Sequence, residues 1–487
     1  MRRLAALAAT LLVSTAQAGV EKYGDQFKNG DIGLDKVPHF GKSRVLVVPV
    51  EFGMTADFAH LDTFFDNSDG AKYSFRKYWQ INSYGAFDVT VDVLPVVHFD
   101  SCPAPNNPKC EFTPQNGFSA IEAVRAVFER LDGELGVDFT KYDTNGPDGK
   151  PDGFCDGIIF LVPNYTGGIA PPIYPFLKDE DGKPANVWDG VTVGAIAISN
   201  TDAETILHEF GHLLGFADLY NFDLRFSMMS WCSDCMLDAQ SRLKIGWAEA
   251  LDVPPGELMD VLLRPATSSK QVVRVMGADP KEYFLLEMRR EATFGNSTVD
   301  VGLDGVAVYH VDENKEAPII AQSNYPPWHP LIMNERPTNN QAEPRLFRPG
   351  DEFLPNYTGD QQSAAKAKTV YWNSNWYDGS YSGIRIDQVR EVDEDGPAYR
   401  VRVRGVTPYE PPVVTPDEDA GPTQPDAGPA QGDTGGADTT ADVASGDAPG
   451  ADTAPAGGAG EGCGTGAPVA WLALLVVVSW LRRRSAV

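Results

Sequence analysis

The chain has 487 residues, 42% of them hydrophobic, enough to fill two domains of ordinary size with appendages. Its formal charge of -28 argues against nucleic acid and anionic lipid surfaces as partners. It favours a soluble, self-repelling protein outside the cytoplasm.

Arg2 and Arg3 precede an apolar run from Leu4 to Val13 and then Ala16-Gln17-Ala18. This is the pattern of a signal peptide over residues 1–18, with export and a mature chain beginning near Gly19. Residues 44–52 (RVLVVPVEF) form a continuous apolar run suited to a buried strand. Residues 74–94 read as a helix ending near Ser83-Tyr84-Gly85, followed by an alternating strand, FDVTVDVL. Ile121, Val124, Val127, Phe128 and Leu131 recur at helical spacing, which predicts an amphipathic helix lying on a sheet. Residues 157–162 (GIIFLV) read as a second buried strand. Strands alternating with helices predict an α/β domain over residues 19–253.

Between that helix and strand stand Asp143, Asn145, Asp148 and Asp152, interspersed with glycines. Oxygen side chains at such intervals are what a calcium loop needs, but the spacing departs from the EF-hand and its closing bidentate Glu is missing. A plain Asx/Gly turn is the other reading. Of the six cysteines, Cys102 and Cys110 bracket a Pro/Asn-rich loop, and Cys232 and Cys235 form a CSDC. In an exported chain both pairs are expected disulfides, leaving Cys155 as an odd, buried thiol. A CxxC can also be a redox or zinc half-site, but the chain holds no second half-site.

Residues 208–218 read HEFGHLLGFAD. On a helix, His208 and His212 stand four apart and project from one face, where a single tetrahedral zinc can take both imidazoles. Glu209 stands beside them as a general base. Gly215 lets the chain leave the helix through a left-handed turn, so that Asp218 can swing back as a third ligand. About ten residues further on, Met229, or alternatively Met228, is placed to form the tight turn that lies beneath the metal in metzincins.

From Pro254 to Gly405 the pattern changes to short strand-like runs punctuated by Gly, Pro and Asn (VVRVMG, YFLLEMRR, GVAVYHVDE, SGIRIDQV, YRVRVRG), which predicts an antiparallel β-sandwich over residues 254–405. His310 reads as a structural strand residue, and Glu287 and Arg289 as an inter-strand or interdomain pair. Trp372 and Trp376 read as core aromatics, with glycan or protein binding as the alternative. Residues 406–462 collapse to an acidic Pro/Gly/Ala/Thr/Asp tether, too poor in apolar surface to order. Residues 463–487 hold Cys463 within a Gly-Cys-Gly, an apolar run from Ala467 to Leu481, and Arg482-Arg483-Arg484. That run is shorter than the roughly 20 residues of a comfortable membrane span, and the arginines would keep the end on the cytoplasmic side.

These three tail features resemble the MYXO-CTERM class of bacterial sorting tails. The resemblance implies processing near Cys463 and retention at the cell surface; a plain membrane anchor is the alternative. Over most of residues 44–390 the chain resembles the immune inhibitor A family of secreted zinc metallopeptidases. The segments that carry the likeness are HEFGHLLGFADLYN with the methionine-serine turn and DAQSRLKIGW, together with VLVVPVEF, YWQINSYGAFDVTV, YDTNGPDGKPDG, YFLLEMRR and GVAVYHVDE. The resemblance implies a metzincin-like fold, one zinc and endopeptidase activity. His208 and His212 then carry over as ligands and Glu209 as base. Asp218 stands where metzincins keep a third histidine, with Glu204 or Glu249 as fallback ligands.

The expectation is therefore a surface-anchored, monomeric zinc endopeptidase acting on proteins or peptides. Glu209 would take a proton from water and hand it to the departing amine, with Tyr220 a candidate oxyanion partner from proximity alone. Two alternatives are a zinc hydrolase of non-peptide amides and an inactive adhesin with a structural zinc. Glu209 speaks against the adhesin, because a structural site has no use for a base.

Overall fold

The computed structural model describes residues 37–407, except 69–73, 105–109, 111–120, 147, 164, 166, 171–184, 217, 220–223, 231, 233, 295–296, 316–331, 339–345, 356–372 and 379. The expected signal peptide, acidic tether and sorting tail with Cys463 lie outside the described residues, as do Tyr220 and Trp372.

The first half is built on β1 (Gly41–Phe52), whose apolar residues serve both faces of a sheet. β1 pairs in parallel with β2 (Phe87–Val93), β3 (Val97–Phe99) and β4 (Ile158–Leu161). The edge strand β5 (Gly168–Ile169) and the small hairpin of β6 (Val187–Trp188) and β7 (Val191–Thr192) precede β8 (Ala197–Ser199). The sheet order is β2-β1-β4-β8-β5, and β5 alone runs antiparallel to its neighbour. Val45 and Val47 face a core that includes Tyr78 and Trp79 of helix α1 (Phe75–Asn82). Leu46, Val48 and Val50 face the opposite core, filled by Val127, Phe128 and Leu131 of α2 (Ile121–Gly133). Helices on both faces explain why β1 reads as an unbroken apolar run rather than an alternating one. The Ser74 hydroxyl caps α1 by accepting from the Lys77 N–H at 3.2 Å.

After α3 (Ala203–Leu213) and α4 (Ala239–Lys244) come β9 (Glu249–Val253), β10 (Leu258–Leu263), β11 (Gln271–Met276), β12 (Glu282–Phe294), β13 (Ser297–Asp312), β14 (Ile332–Asn334), β15 (Arg385–Asp393) and β16 (Pro397–Arg404). They form a five-stranded sheet, β14-β13-β12-β11-β9, and a three-stranded sheet, β10-β16-β15. The two sheets share an apolar core that includes Phe284, Leu286, Met288, Val306 and Val308 from one and Val261, Leu263, Ile386, Val401 and Val403 from the other. One boundary moves. β9 pairs in parallel with β11 and Val253 is buried in that shared core, so the strands of the second half begin at Glu249 rather than after 254. Among the described residues the chain is mixed α/β with mostly strands, and no helix is long and apolar enough to cross a membrane.

The halves are not separate bodies; all described residues fall in one compact unit. β12 is buried on both faces. While Phe284, Leu286 and Met288 face the second sheet, Tyr283 and Leu285 join Ala307, Tyr309 and Val311 in the core of the first half. Glu287 and Arg289 share that inward face and are fully enclosed. Glu287 pairs with Arg242 of α4 across the two halves, and Arg289 with Asp300 of β13 at 2.5 Å, so the structure holds one interdomain and one inter-strand pair.

His310 lies at the margin of the shared core, with Nε2 2.9 Å from Glu282 and Nδ1 3.2 Å from Glu335, stacked on the Tyr377 ring at 3.8 Å. Trp376 packs on Phe284 at 5.6 Å, a half-buried core aromatic. Burial opposes charge on His310, but the two carboxylates outweigh it and raise its pKa above the usual 6.5. A raised folded pKa means stabilisation that is complete below about 6.5 and lost as pH rises through the raised value. The stability advantage of the wild type over His310→Gln is therefore expected to shrink as pH rises above 6.5. Urea unfolding across that rise reads it, and a constant advantage would mean that His310 carries no charge.

Candidate metal centre

The HExxH stretch forms α3, which lies on β8 with β5 at its side. Ile206, Leu207, Phe210 and Leu213 are buried in the core of the first half. Phe210 is wedged between Phe75 and Trp79 at 4.9 and 5.5 Å, which fixes the rotation of the helix about its axis. His208 and His212 project together from the other side, their rings 4.9 Å apart. Gly215 follows with φ 91°, the left-handed exit expected from its place after the helix. That reversal returns the chain so that Asp218 faces both histidines, with Oδ1 3.1 Å from His208 Nε2 and 3.4 Å from His212 Nε2.

The other ring nitrogens decide what those three atoms can do. His208 Nδ1 lies 3.0 Å from the Met228 carbonyl, and His212 Nδ1 lies 2.7 Å from the Phe216 carbonyl. A carbonyl only accepts, so both Nδ1 atoms carry hydrogen and each ring turns its Nε2, the nitrogen a metal can take once it holds no proton, toward Asp218. Two imidazole Nε2 atoms and a carboxylate oxygen, all within 4.8 Å of one another, could together hold a cation. The field is correspondingly anionic. Burial alone would lower His212, but Asp218 and Glu209 push it up to about 9. Burial would raise Asp218, but the two histidines hold it below the usual carboxylate range. Two nitrogens and one oxygen, with the far ring nitrogens pinned by backbone carbonyls, suit a divalent transition metal such as zinc or iron. Glu204 and Glu249 do not join the cluster; Glu204 sits in the first turn of α3 and Glu249 opens β9 in the other half.

Glu209 is 5% exposed, and its Oε2 has no hydrogen-bond partner among the described residues. Burial raises its pKa, against the lowering effect of His212 and His208. A buried carboxylate oxygen left unmatched is costly unless a ligand completes it. Glu209 lies against the backbone of β5, where a Cβ on Gly168 would come within 2.3 Å of its side chain. Gly168 was not singled out from the sequence; the Gly167-Gly168 pair was its visible signal. Tyr165, whose hydroxyl lies 3.5 Å from the Gly168 carbonyl, also went unnoticed; its pKa is raised by burial and by the nearby Glu209 charge.

Beneath the helix the chain makes a tight turn over residues 227–230, closed by Ser230 N–H to the Ser227 carbonyl at 3.0 Å. The two methionines divide the work. The Met229 side chain presses on α3 at Gly211, where a Cβ would sit 2.7 Å from its sulfur, and its carbonyl accepts from Leu219 N–H at 2.8 Å, next to Asp218. Met228 supplies the carbonyl that holds His208. Cys232 pairs with Cys235, and Cys102 with Cys110, while Cys155 is free and buried with its thiol pushed up to about 12. The CxxC sulfurs therefore bond each other, not a metal.

The proposed calcium ligands do not converge in this way. Asp143 accepts from the N–H groups of Asp152 and Gly153, both at 2.9 Å, Asp148 from Lys150 N–H at 3.1 Å, and Asp152 from Phe154 N–H at 3.0 Å. The Asn145 amide turns away to Ser43 and Phe40. This is Asx-turn bonding, the pattern of the second reading, with backbone N–H groups of the loop on one lone pair of these oxygens.

Gly211→Ala is expected to cost about 1–3 kcal/mol by forcing Met229 out of its place. Urea denaturation measures it, and an unchanged midpoint would mean that Met229 yields freely. Compared with known proteins, the chain matches no protein-family model and no curated sequence, so function is argued from the site itself.

Proposed function

We propose that the chain is an exported, surface-anchored, zinc-dependent endopeptidase with a metzincin-like first half. The observation that carries this reading is the coincidence of the three converging ligand atoms of His208, His212 and Asp218 with an adjacent, unmatched Glu209 oxygen. A structural zinc site needs the first feature and not the second. His208, His212 and Asp218 would hold the ion. Zinc bound there would supply Lewis acidity toward the scissile carbonyl and toward water. Glu209 takes the proton of the attacking water and returns it to the departing amine. Its free oxygen is the acceptor for that proton, and its packing against Gly168 limits where the carboxylate can swing.

The peptide substrate class is argued from β5. This short strand is the sheet edge beside Glu209, and no strand pairs with its outer side among the described residues. A substrate in extended form adds to such an edge through its own backbone, whatever its side chains. Gly167 and Gly168 keep side chains from obstructing the approach. Two disulfides among the described residues suit an oxidising compartment outside the cytoplasm.

The test is casein hydrolysis and zinc content of the full chain. The wild type is expected to hold one zinc and to lose activity to a chelator. Glu209→Gln is expected to keep the zinc while turnover falls about 10²- to 10⁴-fold, and Asp218→Ala to lose the zinc. Stoichiometric zinc without peptide cleavage, or cleavage confined to non-peptide amides, would refute the peptidase reading.

A further inference from the structure

We infer that Arg289 and Asp300, two buried residues of the second half, are positioning residues for the metal centre. They clamp the loop whose Met228 carbonyl orients His208. The inference rests on the zinc reading above.

The connection can be followed bond by bond. Arg289 Nη1 donates to the Phe226 carbonyl at 2.8 Å, just before the tight turn. Its Nη2 donates to the Met236 carbonyl at 3.3 Å, just after the disulfide loop. That same Met236 carbonyl accepts from Met228 N–H at 3.2 Å. The Met228 peptide is therefore held at its nitrogen by a carbonyl that Arg289 pins, and its own carbonyl accepts from His208 Nδ1. Asp300 grips the loop from the other side. Its Oδ1 accepts from Met236 N–H at 3.0 Å, and its own N–H donates to the Asp234 carbonyl at 2.8 Å. Both Asp300 oxygens also accept from Arg289, at 2.5 and 2.9 Å. Asp300 adopts φ 55°, a left-handed backbone uncommon for any residue but Gly, Asn or Asp.

A salt bridge kept only for stability would not need this arrangement. Hydrophobic residues of similar volume often serve a buried interface as well or better. Here the planar fork of Arg289 reaches the backbone carbonyls of Phe226, Met236 and Leu237 and the carboxylates of Asp300 and Glu287 at once, which a lysine cannot reproduce. The paired charges also leave the carbonyls at the two ends of the turn with little freedom to rotate. His208 can then keep its ring plane, and with it the direction of its Nε2 lone pair, before any ion arrives. Groups that orient a metal-binding histidine in this way typically set affinity by about 10- to 100-fold.

The full chain carrying Arg289→Lys or Asp300→Asn is expected to bind zinc about 10- to 100-fold more weakly than wild type. Zinc affinity is read by chelator competition and corrected for the folded fraction from near-UV circular dichroism. The absorption bands of the cobalt-substituted centre are expected to shift in both variants, reporting altered ligand geometry. Arg290→Ala, which removes the half-buried ion pairs of the next residue on the same strand with Asp304 and Glu391, is expected to change neither readout. If the variants lose stability but keep wild-type affinity per folded molecule and the wild-type cobalt spectrum, the pair is merely structural and the inference falls. If Arg289→Lys does not fold, Asp300→Asn decides on the same readouts; failure of both to fold also sinks the inference. A wild type that binds no zinc overturns the underlying reading of the centre instead.

Discussion

The two Nδ1 hydrogen bonds to backbone carbonyls are the constraint on which the centre depends. Met228 and Phe216 each offer an acceptor, and an acceptor on one side of an imidazole leaves a lone pair on the other. Without them either ring could rotate or change tautomer, and Asp218 would face donors and form a closed hydrogen-bonded cluster. With them, both Nε2 atoms and the Asp218 carboxylate are left facing one another in a buried part of the protein. A proton or a metal ion held between them balances the carboxylate charge.

Each of the two carbonyls is held by a different part of the chain. Phe216 follows the Gly215 exit from α3, so its contribution is local, and Gly215 suffices to place it. Met228 belongs to a turn braced from several directions. Ser227 hydrogen-bonds Asp238 at 2.8 Å, the same Asp238 that caps α4. Met229 presses on Gly211 from below, and Arg289 and Asp300 hold the flanking carbonyl and N–H groups from the second half. The second half is thus more than an appended module. Its five-stranded sheet presents one face to the smaller sheet and the other to the centre, which is why β12 is buried on both sides.

Placing Arg289, Glu287, Arg242 and Asp300 in that interface carries a cost. Four charged groups removed from water are stabilised only where every hydrogen-bonding atom is matched, and loss of one partner typically costs about 3–5 kcal/mol. Tyr309 contributes to the matching by donating to Glu287 at 2.6 Å, and Tyr84 accepts from Arg242. The interface is consequently particular about geometry. An apolar contact of the same area would allow the halves to slide, whereas this network fits in one register.

Much of the centre was legible in the sequence because it is local. The four-residue spacing of His208 and His212, the adjacent Glu209 and the glycine before Asp218 follow from helix geometry and the left-handed freedom of glycine. Buried strands were legible as unbroken apolar runs, and the disulfides as cysteine pairs at short separation. What lay beyond reach was long-range. Glu287 and Arg289 could be read as partners of something, but not as a brace for a turn about sixty residues earlier, because strand periodicity tells which residues share a face and not what the face meets. The same limit misplaced the boundary near residue 253, since β9 owes its place to pairing with β11. It also left the loop at Asp143–Asp152 with two readings, because oxygen spacing alone cannot say whether ligands or backbone N–H groups will claim the carboxylates. Sequence determined the donor set and its local geometry; tertiary structure decided which carbonyls orient it, which backbone confines Glu209, and which distant charges hold the turn beneath it.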